Sequence, residues 1–405
     1  MANVSSSNGI EKYPQLRFDG YNNPWMTRKL GDLGTFIKGA PLSKADISDE
    51  GTPFILYGEL YTTYSEVTHS VKRKTDKIVE QQFYSKIGDV IVPTSGETPE
   101  DIATASCIML PDVILAGDLL IYRTEQIDGR FVSYAIKNKV NKQISSIAQG
   151  KSVVHVRANE LSKICITFPS LDEQKKILDL LELLDKRIAT QQSLIETLKK
   201  YKRGVYKRIF SINHLQCQWT SLGEICEVIT KGTTPHTFRE CGTIKYIKIE
   251  SIIGGSIVNE KCKWIDQDTH EGELRRSILK AGDILYSIAG SLGVSTLVQL
   301  ENLPANTNQA LAIIRTDSKV NRDYVLSVLR SSLMEEYILA SRTTGAQPNL
   351  SLQQMRDFKL PLPREEKQIE IASIVTTLEK RIALESALLD KMILHKSALM
   401  QQLFV

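Results

Sequence analysis

Asp185-Lys186-Arg187-Ile188-Ala189 returns 194 residues later (379 − 185) as Glu379-Lys380-Arg381-Ile382-Ala383, and the chain becomes legible from that echo. The same offset pairs Pro169 with Pro363, Gln174 with Gln368, Ile177 with Ile371, Leu184 with Leu378, Leu194 with Leu388 and Phe210 with Phe404, without a gap. Self-similarity at a fixed period is the signature of a duplicated architecture. A fainter echo lies upstream. Leu30-Gly31-Asp32 matches Leu222-Gly223-Glu224, Lys38-Gly39 matches Lys231-Gly232, and Gly88-Asp89-Val90-Ile91 matches Gly282-Asp283-Ile284-Leu285. The offset drifts in that region. The chain therefore reads as module, helix, module, helix, with the helices alike and the modules diverged.

Both helical segments carry an apolar seam with steps alternating four and three. The first runs Ile177, Leu181, Leu184, Ile188, Gln191, Ile195, Leu198, Lys202, Val205, Ile209. The second runs Ile371, Val375, Leu378, Ile382, Glu385, Leu389, Met392, Lys396, Leu399, Leu403. Even the polar interruptions coincide. A heptad seam sustained this long predicts a coiled coil. Ser170 followed by Glu173 is a capping-box start for the first helix, and Pro363 with Glu365 and Glu366 opens the second. Gly204 is the only glycine inside either. Because a whole module separates the helices, the simplest closure packs them antiparallel, giving a pseudo-twofold repeat. The alternative is that each helix packs separately on its own module.

The modules read differently. Phe54-Ile55-Leu56-Tyr57, Asp89-Val90-Ile91-Val92, Ile244-Lys245-Tyr246-Ile247 and Asp283-Ile284-Leu285-Tyr286 are β-branched and aromatic runs between turn residues, which predict strands. Helical pieces close each module, near 320–340 in the second. The expected fold class is α/β, with small mostly antiparallel sheets in two modules joined by two long helices. The expected divisions are an N-terminal extension 1–14, module 15–168, helix 169–212, module 213–362 and helix 363–405.

Composition sets outer limits. The chain has 405 residues, 42% hydrophobic and 24% charged, with a formal net charge of +4. These values fit a soluble globular protein of two or three domains and argue against disorder. The start, MANVSSSNGIEKYPQ, lacks the apolar core of a signal peptide, and no run of eighteen or so apolar residues follows. A cytoplasmic location, with no membrane partner, is the expectation. Cys107, Cys165, Cys217, Cys226, Cys241 and Cys262 form no CxxC pair, so neither zinc nor a disulfide framework is expected.

No catalytic motif is complete. Asn22-Asn23-Pro24-Trp25 lacks the second proline of the Asn-Pro-Pro-aromatic loop of adenine methyltransferases, and no glycine-rich turn precedes it. Gly150-Lys151-Ser152 has Ser145 where a phosphate loop needs its first glycine. Pro111-Asp112 has no Glu-x-Lys to complete a nuclease carboxylate set. His69, His155, His214, His236, His270 and His395 show no metal spacing. The expectation is a non-catalytic binding protein that needs no cofactor and no metal.

The architecture, together with specific strings, resembles the specificity subunits of type I restriction-modification systems. Those strings are Leu16-Arg17-Phe18-Asp19-Gly20 leading to Trp25 and Lys29-Leu30-Gly31-Asp32, Pro93-Thr94-Ser95-Gly96-Glu97-Thr98 after Gly88-Asp89, Pro169 through Gln174, and Gly345-Ala346-Gln347-Pro348-Asn349-Leu350-Ser351. The resemblance covers the chain from about residue 14 onward. It implies two target recognition domains, each reading half of a bipartite site on double-stranded DNA. It also implies that the helices set the spacer and dock two methyltransferase subunits, which carry the adenine-N6 chemistry, with two restriction subunits beyond them. The different constraint on each part then accounts for alike helices beside unlike modules.

Base readout requires donors, acceptors and apolar groups at base edges, while phosphates take Lys, Arg, Ser and Thr. The candidate DNA-binding residues in the first module are Tyr57, Tyr61, Tyr64, Lys72, Arg73, Lys74, Thr94 and Ser95. In the second they are Lys231, Thr233, Lys245, Lys248, Arg275, Arg276, Ser287 and Ser291. For each, packing or plain solvation is the competing reading. The run Lys199, Lys200, Lys202, Arg203, Lys207 and Arg208 is read first as a complement to the helix dipole and second as a DNA contact. A competing function from another class is a coiled-coil scaffold whose modules bind proteins and show no salt-sensitive DNA affinity.

Overall fold

The computed structural model describes residues 2–3, 13–147, 154–210, 217–340 and 349–405. The Gly150-Lys151-Ser152 string, His214, most of the N-terminal extension and residues 345–348 of the last family-like string lie outside them. Two compact units divide the chain: residues 1–190 with 390–405, and residues 191–389.

In the first unit a five-stranded sheet runs in the order Gly34–Lys38, Leu119–Thr124, Asp89–Pro93, Ser106–Ile108, Val67–Thr68. Every pair is antiparallel except the last. Strand Asp89–Pro93 is buried at all five positions, because both faces of the sheet are covered. Its period of two sends Val90 and Val92 to a core with Trp25, Tyr122 and Phe131, and sends Ile91 to a second core with Leu115 and Ile121. Helix Gly129–Ala135 covers the first of these faces, started by the Asp128 side chain accepting from the Arg130 amide.

The second unit repeats the plan. Its antiparallel sheet runs Cys226–Lys231, Leu311–Thr316, Ile284–Ser287, Ser295–Leu297. Helix Arg322–Leu329, capped by Asn321, covers the face carrying Ile284, Tyr286 and Ile314. The repeat extends to individual bonds. Arg123 Nε lies 3.1 Å from Asp89 Oδ2 in the first unit, and Arg315 Nε lies 2.7 Å from Asp283 Oδ1 in the second. Gln174 accepts from the Asp128 amide at 3.0 Å and donates to the Pro169 carbonyl, and Gln368 does the same with Asn321 and Pro363.

The expected strands stand within a residue or so of their anticipated places, with Tyr57 instead opening a 3-10 turn, Tyr57–Leu60. The capping box expected at Glu173 gives way to an ion pair. Its two carboxylate oxygens each lie 2.8 Å from the Arg17 guanidinium.

Both long helices, Leu171–Ile209 and Glu365–Leu403, are 39 residues long. None of their twenty seam positions is exposed. In the first unit Ile177, Leu178 and Leu181 share a core with Met400, Leu403 and Phe404. In the second, Tyr206 and Phe210 share one with Ile371, Ala372 and Val375. The start of one helix thus lies against the end of the other in each unit, which makes the pair antiparallel. Each helix also enters its module's core, so the two packing alternatives are both partly realised.

The polar seam positions find each other. Lys202 Nζ lies 3.1 Å from Glu379 Oε1, and its repeat equivalent Lys396 lies 2.5 Å from Asp185 Oδ1. Gln191 Nε2 donates to Glu385 Oε2 at 2.6 Å and to the Glu385 carbonyl at 3.0 Å. A polar pair in a heptad seam fixes register at some expense of stability. Replacing both Gln191 and Glu385 by Leu is therefore expected to raise the thermal midpoint of the second unit, as read by calorimetry. A drop would mean that the pair stabilises as well as specifies.

Candidate nucleic-acid interface

In the first module the outer end of strand Asp89–Pro93 continues into Thr94 and Ser95. Ser95 pairs with His155 of the short strand Val154–His155. Ser95 Oγ lies 3.1 Å from His155 Nδ1 and 3.3 Å from Asp118 Oδ2, and its carbonyl accepts from Tyr61 Oη at 2.5 Å. Burial raises the Tyr61 hydroxyl well above the usual phenol range, helped by Asp101, so it stays a neutral donor. Thr94 and Ser95 face an open cleft of about 900 Å³ with Lys38, Asp118, His155 and Arg157. Lys38, Asp118, His155 and Arg157 are exposed there.

Apart from the Tyr61 hydroxyl, which supports Ser95 from behind, the other candidates of this module do not line that cleft. In the run Lys72-Arg73-Lys74 the side chains alternate: Lys72 and Lys74 are exposed, while Arg73 reaches the buried Glu59 at 2.9 Å. Arg73 lines a second cleft with Tyr57, Lys44 and Thr62. Its charge is already matched there. Tyr61 and Tyr64 line a third with Asp101, Lys137 and Asn141. The Tyr64 hydroxyl accepts from the Lys72 amide at 3.4 Å, and burial raises its pKa.

The second-module candidates are spread over four segments. Lys231 is exposed at the end of strand Cys226–Lys231, and the Thr233 carbonyl accepts from Tyr246 Oη at 2.9 Å. Lys245 Nζ is held by the Glu301 carbonyl at 2.8 Å, and Lys248 lies over the Phe238 ring. Arg275 and Arg276 are exposed on the turn Arg275–Ser277. Ser287 is buried, donating to the Ser291 carbonyl at 2.5 Å and accepting from the Val294 amide at 2.8 Å. It braces the turn on which Ser291 is exposed. At the end of the first long helix, Lys202 is committed to Glu379 and Lys199 lies 3.2 Å from Glu196; Lys199, Lys200, Arg203, Lys207 and Arg208 are all exposed.

Sequence reasoning missed Lys38, Asp118, His155 and Arg157. For Lys38 a signal was present, since Lys38-Gly39 and Lys231-Gly232 form one of the few upstream echoes. The other three lie in segments that diverge between modules and carry no such mark. Among the described residues no group of three or more His, Cys, Asp or Glu could hold a metal ion, and no helix is long and apolar enough to cross a membrane.

Comparison with known proteins adds an independent observation. Residues 22–200 and 217–392 each match the family described as the Type I restriction modification DNA specificity domain. The chain is 24% identical over 384 residues to the type I restriction enzyme MjaVIII specificity subunit of Methanocaldococcus jannaschii, covering 89% of this chain and 87% of that one. The crystal structure of the type I restriction-modification S subunit from M. genitalium superposes with a TM-score of 0.63 at 19% identity, over 97% of this chain and 99% of that one. A chain solved in work on complex assembly and conformational transition of the type I R-M system gives 0.58 at 16% identity, over 95% and 99%.

Proposed function

Since the chain belongs to the type I restriction-modification DNA specificity family, we propose that each module reads one half of a bipartite DNA site while the helix pair sets the spacer and docks two methyltransferase subunits, with two restriction subunits joining through them. The observation that carries this reading is the contrast within the repeat. Bonds that tie the modules to the helices recur residue for residue, as at Gln174 and Gln368, whereas the exposed loops differ. Identical partners explain the first and different half-sites the second. Leu194 and Leu388, equivalent in the repeat, are exposed on the helices at 39% and 47%, which suits an apolar contact made twice. A protein-binding scaffold would have no need of two unlike modules on one frame.

The chain supplies specificity, and methyl transfer comes from its partner. Purified alone with S-adenosylmethionine it is expected to methylate nothing; with its modification subunit it methylates adenine within a two-part site. Exchanging residues 213–362 for the matching module of a relative changes one half-site only, as read by mapping methylated adenines genome-wide. Methylation by the isolated chain, or a change in both halves, would overturn the reading.

A further inference from the structure

The two modules can be aligned bond by bond around the Lys38 cleft. Gly39 N donates to the Leu119 carbonyl and Gly232 N to Leu311; Thr94 N donates to Asp118 and Ile288 N to Ala310. Val156 N donates to the Thr94 carbonyl and Leu350 N to Ile288. Arg157 N donates to Glu160 Oε2 and Ser351 N to Gln354 Oε1. This register fixes which residues occupy the same place. Lys38 corresponds to Lys231, and both are exposed. Ser95 corresponds to Ala289, Asp118 to Ala310, His155 to Asn349 and Arg157 to Ser351. One cation is kept and the rest of the set is replaced.

Two readers of different sequences on one duplex share the phosphate backbone and differ in base edges. The position that keeps its charge suits the phosphate, and the positions that exchange chemistry suit the bases. Asp118 supports the assignment. A carboxylate repels phosphates, so in a cleft facing DNA it belongs at a base edge, where it accepts from the cytosine amino group. The second module offers there the methyl groups of Ala289 and Ala310 and the Asn349 amide, which match thymine methyl and adenine.

We propose that this cleft is the base-reading surface of the first module, with the exposed Asp118 and His155 as its specificity-determining residues and the buried Ser95 as the residue that positions them, and that Lys38 and Lys231 make the same phosphate contact in the two modules. The proposal rests on the reading that the modules bind DNA. His155 is exposed and hydrogen-bonded to Ser95 through Nδ1, and the Ser95 hydroxyl is positioned by its partners rather than free to rotate.

Three of the substitutions that test this, at Ser95, Asp118 and His155, already exist on the same backbone in the other module, and the fourth removes the exposed side chain of Lys38, so all of them suit the fold. The full chain with its modification subunit is assayed as wild type, Ser95→Ala, Asp118→Ala, His155→Asn and Lys38→Ala, first by methylated-adenine mapping and then by DNA binding across salt concentrations. A wild type without a bipartite site would sink the DNA reading itself. Given such a site, Asp118→Ala and His155→Asn are expected to relax individual positions of one half-site roughly 10- to 100-fold and leave the other half untouched. Lys38→Ala should weaken all sequences alike and flatten the slope of log affinity against log salt by about one. Unchanged half-sites in the first three variants, or a shift in base preference with Lys38→Ala, would overturn the assignment.

Discussion

Glu173→Ala is expected to cost the first unit about 3–5 kcal/mol, because it leaves the Arg17 guanidinium charged, buried and unpaired. Arg17 and Glu173 side chains are 5% and 2% exposed, and their two contacts are parallel at 2.8 Å each. Removing one partner forfeits the pair without recovering the hydration of the other. The Asn23 carbonyl, 2.7 Å from Nη2, and the Tyr13 ring, 5.9 Å from Cζ, would remain to the cation, and neither carries a compensating charge. In a unit of this size about 1 kcal/mol moves the melting point by about 2–4 °C, so a fall of roughly 6–20 °C in its calorimetric transition is the expected result. Arg17→Met with Glu173→Leu should recover most of the loss, since apolar replacement of both partners removes the desolvation penalty together with the attraction. A single variant that melts within about 2 °C of the parent would show that water reaches the cation.

The second large effect lies at Lys396. Its ammonium, 12% exposed, sits 2.5 Å from Asp185 Oδ1 and 3.3 Å from Glu66 Oε2, with the Tyr134 ring 5.2 Å away. Burial by itself would raise the Glu66 carboxyl, but Lys396, then Lys137 at 3.0 Å, hold it below the usual carboxylate range. A depressed folded pKa stabilises above the unfolded value near 4.5 and loses that contribution as pH falls through the folded value. Lys396→Met should therefore cost about 3 kcal/mol at pH 7. The gap between variant and parent should narrow as pH falls towards 4, where Glu66 in the variant takes up a proton more readily. Urea midpoints measured across that range read this directly, and a gap independent of pH would remove Glu66 from the explanation.

The long-range plan was legible in the sequence because its signals are periodic and doubled. Heptad steps marked the seam, and the repeat marked which residues hold the frame together, down to Gln174 and Gln368. Local strand runs such as Ile244–Ile247 were equally plain. The interface was less so. A lysine's role depends on what its far end meets: Arg73 and Lys245 looked available and are held by Glu59 and by a carbonyl. Ser287 carried the right chemistry and is used inside its own turn. Conversely His155, Asp118 and Ser95 are far apart in the chain and are assembled only by strand pairing. Glu173 misled for a similar reason, since a capping box and a distant guanidinium compete for one carboxylate, and sequence spacing reveals only the first.

The meeting of Gln191 with Glu385 places a position against its own copy, and this constrains how such a chain can be reshuffled by recombination. A descendant assembled from two first halves would set glutamine against glutamine, and two amides can satisfy each other. One assembled from two second halves would set carboxylate against carboxylate in a half-dry seam, each with its own Arg381 2.6 Å away as the only cation offset and without the amide donor it now has. Crossovers that trade modules while keeping the helices in their present order leave this contact intact; those that duplicate the second helix do not. Exchange of modules between relatives is thus compatible with this contact, whereas doubling of the second half is opposed by it.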